Sequence, residues 1–372
     1  MLHCRTVEDV VAAIKSGDRV IPRGGGHCFV DRRSPGDVLL DLTGLNTIEV
    51  RADGVATIGA GALLGQVYDA LHAAGRGLPA GCGETVGIAG LTLGGGIGLI
   101  GRRYGLTCDR LLGAQVVLAD GTVVDCDASC EPDLFWALRG AGGGQFGVVT
   151  SLRFDTVPEP ITTRISATWV PRDPEVLVAV WQAWAPDAPD DLTLNLTIDG
   201  PRAILVGASL LPVEPTQALL AEFADLVGTP VPFELRAGMP LSAVKASFGE
   251  AMPDERPRIR SEFFEQSLSD DVLGALIGGG RLAFTAMGGA YNRIAADATA
   301  FAHRNQRFLL ETANERSWSI AHADGSGRVY PNFPDLSLTD GPAAYHGENL
   351  GRLRAVKQAY DPDRFFNFPQ AV

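Results

Sequence analysis

Three glycine-dense segments constrain this chain more than any other feature of its sequence. They are Arg23-Gly24-Gly25-Gly26-His27, residues 81–101 (GCGETVGIAGLTLGGGIGLIG) and residues 142–147 (GGGQFG), which open at Gly142. Glycine concentrates where a backbone must take positive φ or approach something closely. Runs of exposed main-chain N–H groups in such loops form concave anion sites suited to a pyrophosphate, and a dinucleotide needs several of them.

One of these loops also satisfies a familiar fingerprint. Gly96-Ile97-Gly98-Leu99-Ile100-Gly101 is G-x-G-x-x-G, and Asp120 follows 19 residues after Gly101. In a doubly wound α/β fold that motif must join a buried strand to a helix. Residues 87–96 (GIAGLTLGGG) are too broken by glycine to be a core strand, so the Rossmann reading fails on context.

The 372 residues exceed one ordinary core, and the hydrophobic content of 46% is ample for two lobes. Residues 38–61 predict two short strands, VLLDL and VATIGAG, separated by a turn-rich stretch. Leu63, Leu64, Val67, Ala70, Leu71 and Ala74 recur at helical spacing, with Gly75 and Gly77 ending the run. Residues 114–125 (AQVVLADGTVVD) predict a hairpin turning at Asp120-Gly121. A short helix over 133–138, entered at Pro132, and a strand over 148–154 follow. Prolines 158, 160, 171, 174, 186 and 189 mark a seam, which places a domain boundary near residue 160. A last helix is expected over 348–360, ahead of Asp361-Pro362.

With 31 Lys and Arg against 44 Asp and Glu, the surface repels polyanions, so nucleic acid is not an expected partner. Residues 1–15 lack the basic, apolar and small-residue zones of an export signal, and no apolar run reaches the ~18 residues of a membrane span. A soluble cytoplasmic protein is the expectation, as monomer or homodimer. All six cysteines precede residue 131 without a CxxC pair, which argues against a zinc site or disulfide framework and for small buried thiols, Cys82 excepted.

Several segments together carry a family resemblance. RGGGH, PAGCGETVGIAGLTLGGGIGLIGRRYGLTCD, DLFWALRGAGGGQFGVVTSLRF, YPNFPD, AYHGENLGRL and YDPDRFFNFPQ resemble, in order and spacing, the berberine bridge enzyme family of FAD-linked oxidoreductases. The likeness covers residues 6–157 and 330–372 well and the middle faintly. It implies an α+β fold: an FAD-binding domain of the vanillyl-alcohol oxidase and p-cresol methylhydroxylase type over 1–160, a substrate domain of antiparallel sheet backed by helices over 161–329, and a segment over 330–372 that returns to the first domain.

The resemblance also assigns residues. His27 matches the histidine whose ring nitrogen is joined to the flavin 8α-methyl group, and such a bond raises the cofactor's potential. Around it, Arg23, Gly24, Gly25, Gly26 and Cys28 would hold FAD. So would Gly83, Thr85, Val86, Gly87 and Gly90, together with Leu93, Gly94, Gly95, Gly96 and Gly98. Gln145, Gly147 and Val148 complete the third loop, and Asn332, Asn349 and Asn367 come from the end of the chain.

Many members have a second flavin link, to the cysteine of C-P-T-V-G. Here Cys82-Gly83-Glu84-Thr85-Val86-Gly87 puts Gly83 at that place, leaving a single link through His27; a one-residue shift of the loop would bring Cys82 into play. Alcohol-oxidising relatives take the substrate proton with the tyrosine of N-Y-x-D. This chain has Asn332-Phe333-Pro334-Asp335, so Tyr330, Tyr345 and Tyr291 become the candidates, each also readable as a packed aromatic. Strand alternation would set Tyr291 and Arg293 on one face. His3, His72, His303, His322 and His346 read as surface or packing residues. Val86 matches the residue that controls oxygen access and resembles the oxidase type.

The resemblance implies an FAD-dependent oxidase that passes a hydride from a sugar, alcohol or secondary metabolite to flavin, with O2 as acceptor. A dehydrogenase with another acceptor, and a flavin-holding protein without turnover, remain the alternatives. No metal is implied.

Overall fold

A computed structural model describes residues 1–141, 143–249 and 258–372; Gly142, where the third glycine loop opens, lies outside the described residues. The chain begins with a small parallel sheet of Leu2–His3, Val38–Asp41 and Val20–Arg23. Helix Val7–Lys15 connects its first two strands in sequence, and a capping box fixes where it starts: Thr6 Oγ1 accepts from Asp9 N while Asp9 accepts from Thr6 N. The RGGGH loop thus leaves the carboxyl end of a parallel strand, the end where such sheets present ligands.

A five-stranded antiparallel sheet follows, ordered Ile48–Val50, Val55–Gly59, Val148–Asp155, Leu111–Val117 and Val123–Cys126. The hairpin expected at Asp120-Gly121 forms, with Gly121 at φ 81°. The stretch before residue 55 differs from expectation. Ile48–Val50 is a third strand rather than turn, because Gly54 at φ 87° folds it back so that Ile48 pairs with Ile58. Helices Leu64–Ala73 and Pro132–Leu138 form as the periodicity predicts. The last helix opens as one 3-10 turn, Gly347–Asn349, before Leu350–Tyr360.

Residues 161–312 supply a seven-stranded antiparallel sheet. Its order is Glu234–Pro240, Ile161–Trp169, Arg202–Ser209, Leu192–Asp199, Leu282–Ala286, Phe308–Thr312 and Arg260–Phe264. Helices Pro174–Trp184, Val213–Val227, Asp270–Leu276 and Glu315–Asp324 pack against Leu194, Leu196, Ile198, Phe284, Phe308 and Leu310. The alternate residues Thr193, Asn195, Thr285, Leu309 and Glu311 point the other way, into a cavity. A one-residue slip would exchange the two rows. Since each buried Leu or Phe contributes about 1.5–3 kcal/mol, the apolar row fixes which polar side chains face the cavity.

This sheet is tied to the glycine loops by buried cations. The Arg102 guanidinium, on the short helix Gly101–Tyr104, donates to the carbonyls of Leu192 (3.0 Å), Pro186 (2.9 Å), Ala188 and Met287. Arg304 pairs with Asp109 at 2.6 Å, both side chains buried. No helix among the described residues is long and apolar enough to cross a membrane.

Candidate active site

A cavity of about 820 Å³ lies between the glycine loops and the polar row of the seven-stranded sheet. That places it in the upper part of the ~300–1,000 Å³ range of ligand sites.

The glycines build its wall by letting main chains touch. A Cβ on Gly25 would sit 2.4 Å from both Gly87 N and Thr85 O, and one on Gly87 would sit 2.4 Å from Gly25 N. The loop of His27 therefore lies directly on residues 85–87, and His27 Nε2 stands 2.9 Å from Thr85 Oγ1. A Cβ on Gly94 would meet Asn332 Oδ1 at 2.2 Å, so that glycine admits the C-terminal segment. Asn332 then donates to Leu91 O and to the Tyr330 hydroxyl, each at 2.9 Å. Phe29 packs edge-on against Phe333 (5.2 Å between centroids), which packs against Tyr330 (5.1 Å).

Most of the residues singled out from sequence line this cavity. Arg23, Gly24, Gly25, Gly26, His27 and Cys28 do, as do Cys82, Val86, Gly87, Gly90, Leu93, Gly94 and Gly98. Gln145, Gly147, Asn332 and the three tyrosines join them. Seven do not line it. Val148 turns into a core with Val10, Val20 and Leu40, while its strand neighbour Val149 faces the cavity. Gly95 and Gly96 take φ 114° and 89° and pack on Phe301 and Thr107, so they shape the turn behind the wall. Asn349 is buried and donates to Ala296 O (2.7 Å) and Thr299 O (3.1 Å), holding that segment instead. Gly83 accepts from Val86 N in a turn, Thr85 reaches the cavity only through His27, and Asn367 yields to Phe368, Pro369 and Gln370.

The strand expected through Tyr291 and Arg293 is absent. Gly288 and Gly289, at φ 83° and 57°, break it after Ala286, and Gly289–Asn292 forms a 3-10 turn. Tyr291 is buried on the cavity wall, whereas Arg293 pairs with Asp190 at 2.6 Å. His346 also differs from expectation, being a buried cavity residue rather than packing or surface. His3, His72 and His322 pair with Asp41, Glu159 and Glu262, and His303 packs against Phe263.

Each tyrosine hydroxyl is committed to neighbouring protein groups. Tyr330 accepts from Gly96 N (3.1 Å), Ile97 N (3.2 Å) and Asn332 Nδ2. Burial outweighs these donors and pushes its phenol up to about 12. Tyr291 accepts from Gly98 N and donates to Gly98 O, and burial raises it further. Tyr345 accepts from Asp335 N and donates to Gln370 Oε1.

Sequence reasoning missed Thr193, Asn195, Thr285 and Glu311. The signal was present in residues 192–197 (LTLNLT), where polar side chains alternate with apolar ones in a strand that has helices on only one face.

The lining has features that a flavin dinucleotide requires. Gly90 presents a bare edge, with nothing within 4 Å of a Cβ, on the lining itself. His346 Nδ1 is buried on that wall with no hydrogen-bond partner among the described residues, and burial pushes the ring down to about 3. A neutral ring nitrogen left unsatisfied on a cavity wall calls for a ligand group. The donor-rich loops and the volume fit the cofactor.

Comparison with known proteins agrees. Residues 1–127 match the family model described as FAD binding domain, and residues 329–372 the one described as Berberine and berberine like. The FAD-linked oxidoreductase YgaK of Bacillus subtilis (strain 168) is 33% identical over 409 residues, covering 100% of this chain and 90% of that protein. The solved structure of Physcomitrella patens BBE-like 1 is 28% identical with a TM-score of 0.89, covering 100% and 90% of the two chains. A glucooligosaccharide oxidase from Acremonium strictum, whose FAD is described as 6-S-cysteinyl, 8α-N1-histidyl, is 26% identical with a TM-score of 0.88 and the same coverages. Fold and site define an FAD-binding oxidoreductase with an α+β fold. Within that class, the chain belongs to the berberine bridge enzyme-like family of FAD-linked oxidoreductases.

Proposed function

We propose that this protein is an FAD-dependent oxidase acting on a small hydroxyl-bearing substrate, an alcohol, sugar or secondary metabolite, with the cofactor joined through His27 alone. The observation that carries this reading is a single cavity that holds the His27 ring, bare glycine edges and a row of hydroxyl, amide and carboxyl groups on the facing sheet. A bound FAD, held by the glycine loops and His27, would supply hydride acceptance from the substrate carbon, with O2 as the electron acceptor.

The chain's own groups supply the rest. Residues 161–329 serve as the substrate-binding part, where Thr193, Asn195 and Thr285 orient substrate hydroxyls. Phe29 and Phe333 give the cavity apolar walls that exclude water. The substrate's hydroxyl proton needs an acceptor with a lone pair facing it. Phe333 has none, and the Tyr330 oxygen already receives three N–H groups. Of the two carboxylates among the described lining residues, Asp31 is exposed and lies outside the seven-stranded sheet whose polar row faces the cavity. Glu311, half-buried on the strand Phe308–Thr312, is the other and takes the proton.

A single link agrees with the state of Cys82. Burial pushes its thiol up to about 11 although Lys245 opposes the shift, and the thiol form is a poor nucleophile. Val86 lines the cavity, which supports oxygen as acceptor. The test is stopped-flow: protein reduced anaerobically by a panel of alcohols and sugars is mixed with air-saturated buffer. Rapid return of flavin absorbance with peroxide formation is expected. Flavin that stays bleached in air and turns over only with a quinone or dye would establish the dehydrogenase alternative.

A further inference from the structure

We infer that Asn195 is a specificity-determining residue presenting only N–H donors to the cavity, an inference that rests on the reading of the cavity as a substrate site with Glu311 as base. It selects a substrate whose acceptor oxygen lies across a ring from the reacting hydroxyl. The ladder between the strands Leu192–Asp199 and Leu282–Ala286 pairs Ile198 with Leu282, Thr197 with Ala283 and Leu196 with Phe284, and stops there. In that register the next N–H, that of Ala286, would meet Leu194 O, but this carbonyl accepts from the Trp181 indole N–H at 2.8 Å. Asn195 Oδ1 takes the Ala286 N–H instead, at 3.1 Å.

A main-chain N–H can only donate, so it fixes which end of the side-chain amide it meets. Oδ1 must turn to Ala286, which leaves Nδ2 and its hydrogens on the cavity side, with no partner among the described residues. The hydroxyls of Thr193 and Thr285, on the same face, can donate or accept and so adapt to either kind of ligand group; Asn195 cannot. Glu311 pairs with Ala283 from the other side of the strand Leu282–Ala286. The strands that carry Asn195 and Glu311 are thus two spacings apart, about 10 Å. With a hydrogen bond of about 3 Å at each end, the remaining gap suits two oxygens on opposite sides of a six-membered ring and is too wide for oxygens on adjacent carbons.

The test uses two series of ring alcohols: p-methoxy-, p-hydroxy- and p-methylbenzyl alcohol, and D-glucose with its 4-O-methyl and 4-deoxy derivatives. Dissociation constants are read without oxygen from the change in flavin absorbance, which also reports probes that bind without reacting. In wild type, the methoxy and hydroxy members of at least one series should bind about fivefold tighter than the member that lacks the oxygen. Asn195→Asp keeps an oxygen for Ala286 N and turns the donor into an acceptor. The methoxy member should then weaken about tenfold, the hydroxy member, which can donate, should stay within about threefold, and the third should not change. Asn195→Ala should bring all three to the affinity of the third. Equal losses across a series, a methoxy member that resists Asn195→Asp, or no binding by either series overturns the inference. Bleaching of Glu311→Gln at the wild-type rate, with the Asn195 pattern intact, would be a separate failure, that of Glu311 as base.

Discussion

Glu311→Gln protein should keep its fold and its flavin and lose about 10²- to 10⁴-fold in the rate at which substrate bleaches the flavin, the usual contribution of a positioned base. The change preserves shape and removes the ability to take a proton. The loss should appear in kcat more than in KM, because the group acts on the proton in transit and the amide still accepts a substrate hydrogen bond. A change below threefold would send the proton elsewhere, and Tyr330→Phe, which keeps the ring contacts with Phe333 and Phe301, would be the next comparison.

The second large effect concerns the cofactor. His27→Ala should reduce acid-stable flavin from about one per chain to under about a tenth, while the native variant still purifies partly yellow because the loop contacts remain. This variant also counts the links. Colour that persists in the acid pellet would show that Cys82 makes a bond of its own, despite burial holding its thiol protonated.

What was legible from sequence follows a physical division. The hairpin at Asp120-Gly121, the helix Leu64–Ala73 and the loop at His27 are local: turn chemistry, periodicity and glycine decide them within a few residues. The missed strand Ile48–Val50 depends on a pairing made only because Gly54 turns the chain back. Tyr291 lines the cavity from a 3-10 turn rather than from the strand that alternation predicts, since Gly288 and Gly289 end that strand. Glu311, Asn195 and His346 were invisible because their importance comes from what faces them. A glutamate in FLLET or a histidine in AYHGEN says nothing alone; packing of one sheet face against helices turns the other into a cavity wall. Thr85 was legible as a motif residue, but its contact with His27 needed the Gly25–Gly87 approach to be seen.

Flavin is expected to sit in this cavity fastened to the imidazole of His27. Intact mass and absorbance of the acid-denatured wild-type protein, followed by peptide mapping, test it most directly. The expected mass exceeds that of the polypeptide by one FAD, with the added mass on the peptide that contains His27. A polypeptide of unmodified mass with all colour in the supernatant, or the label found on another residue, would contradict it.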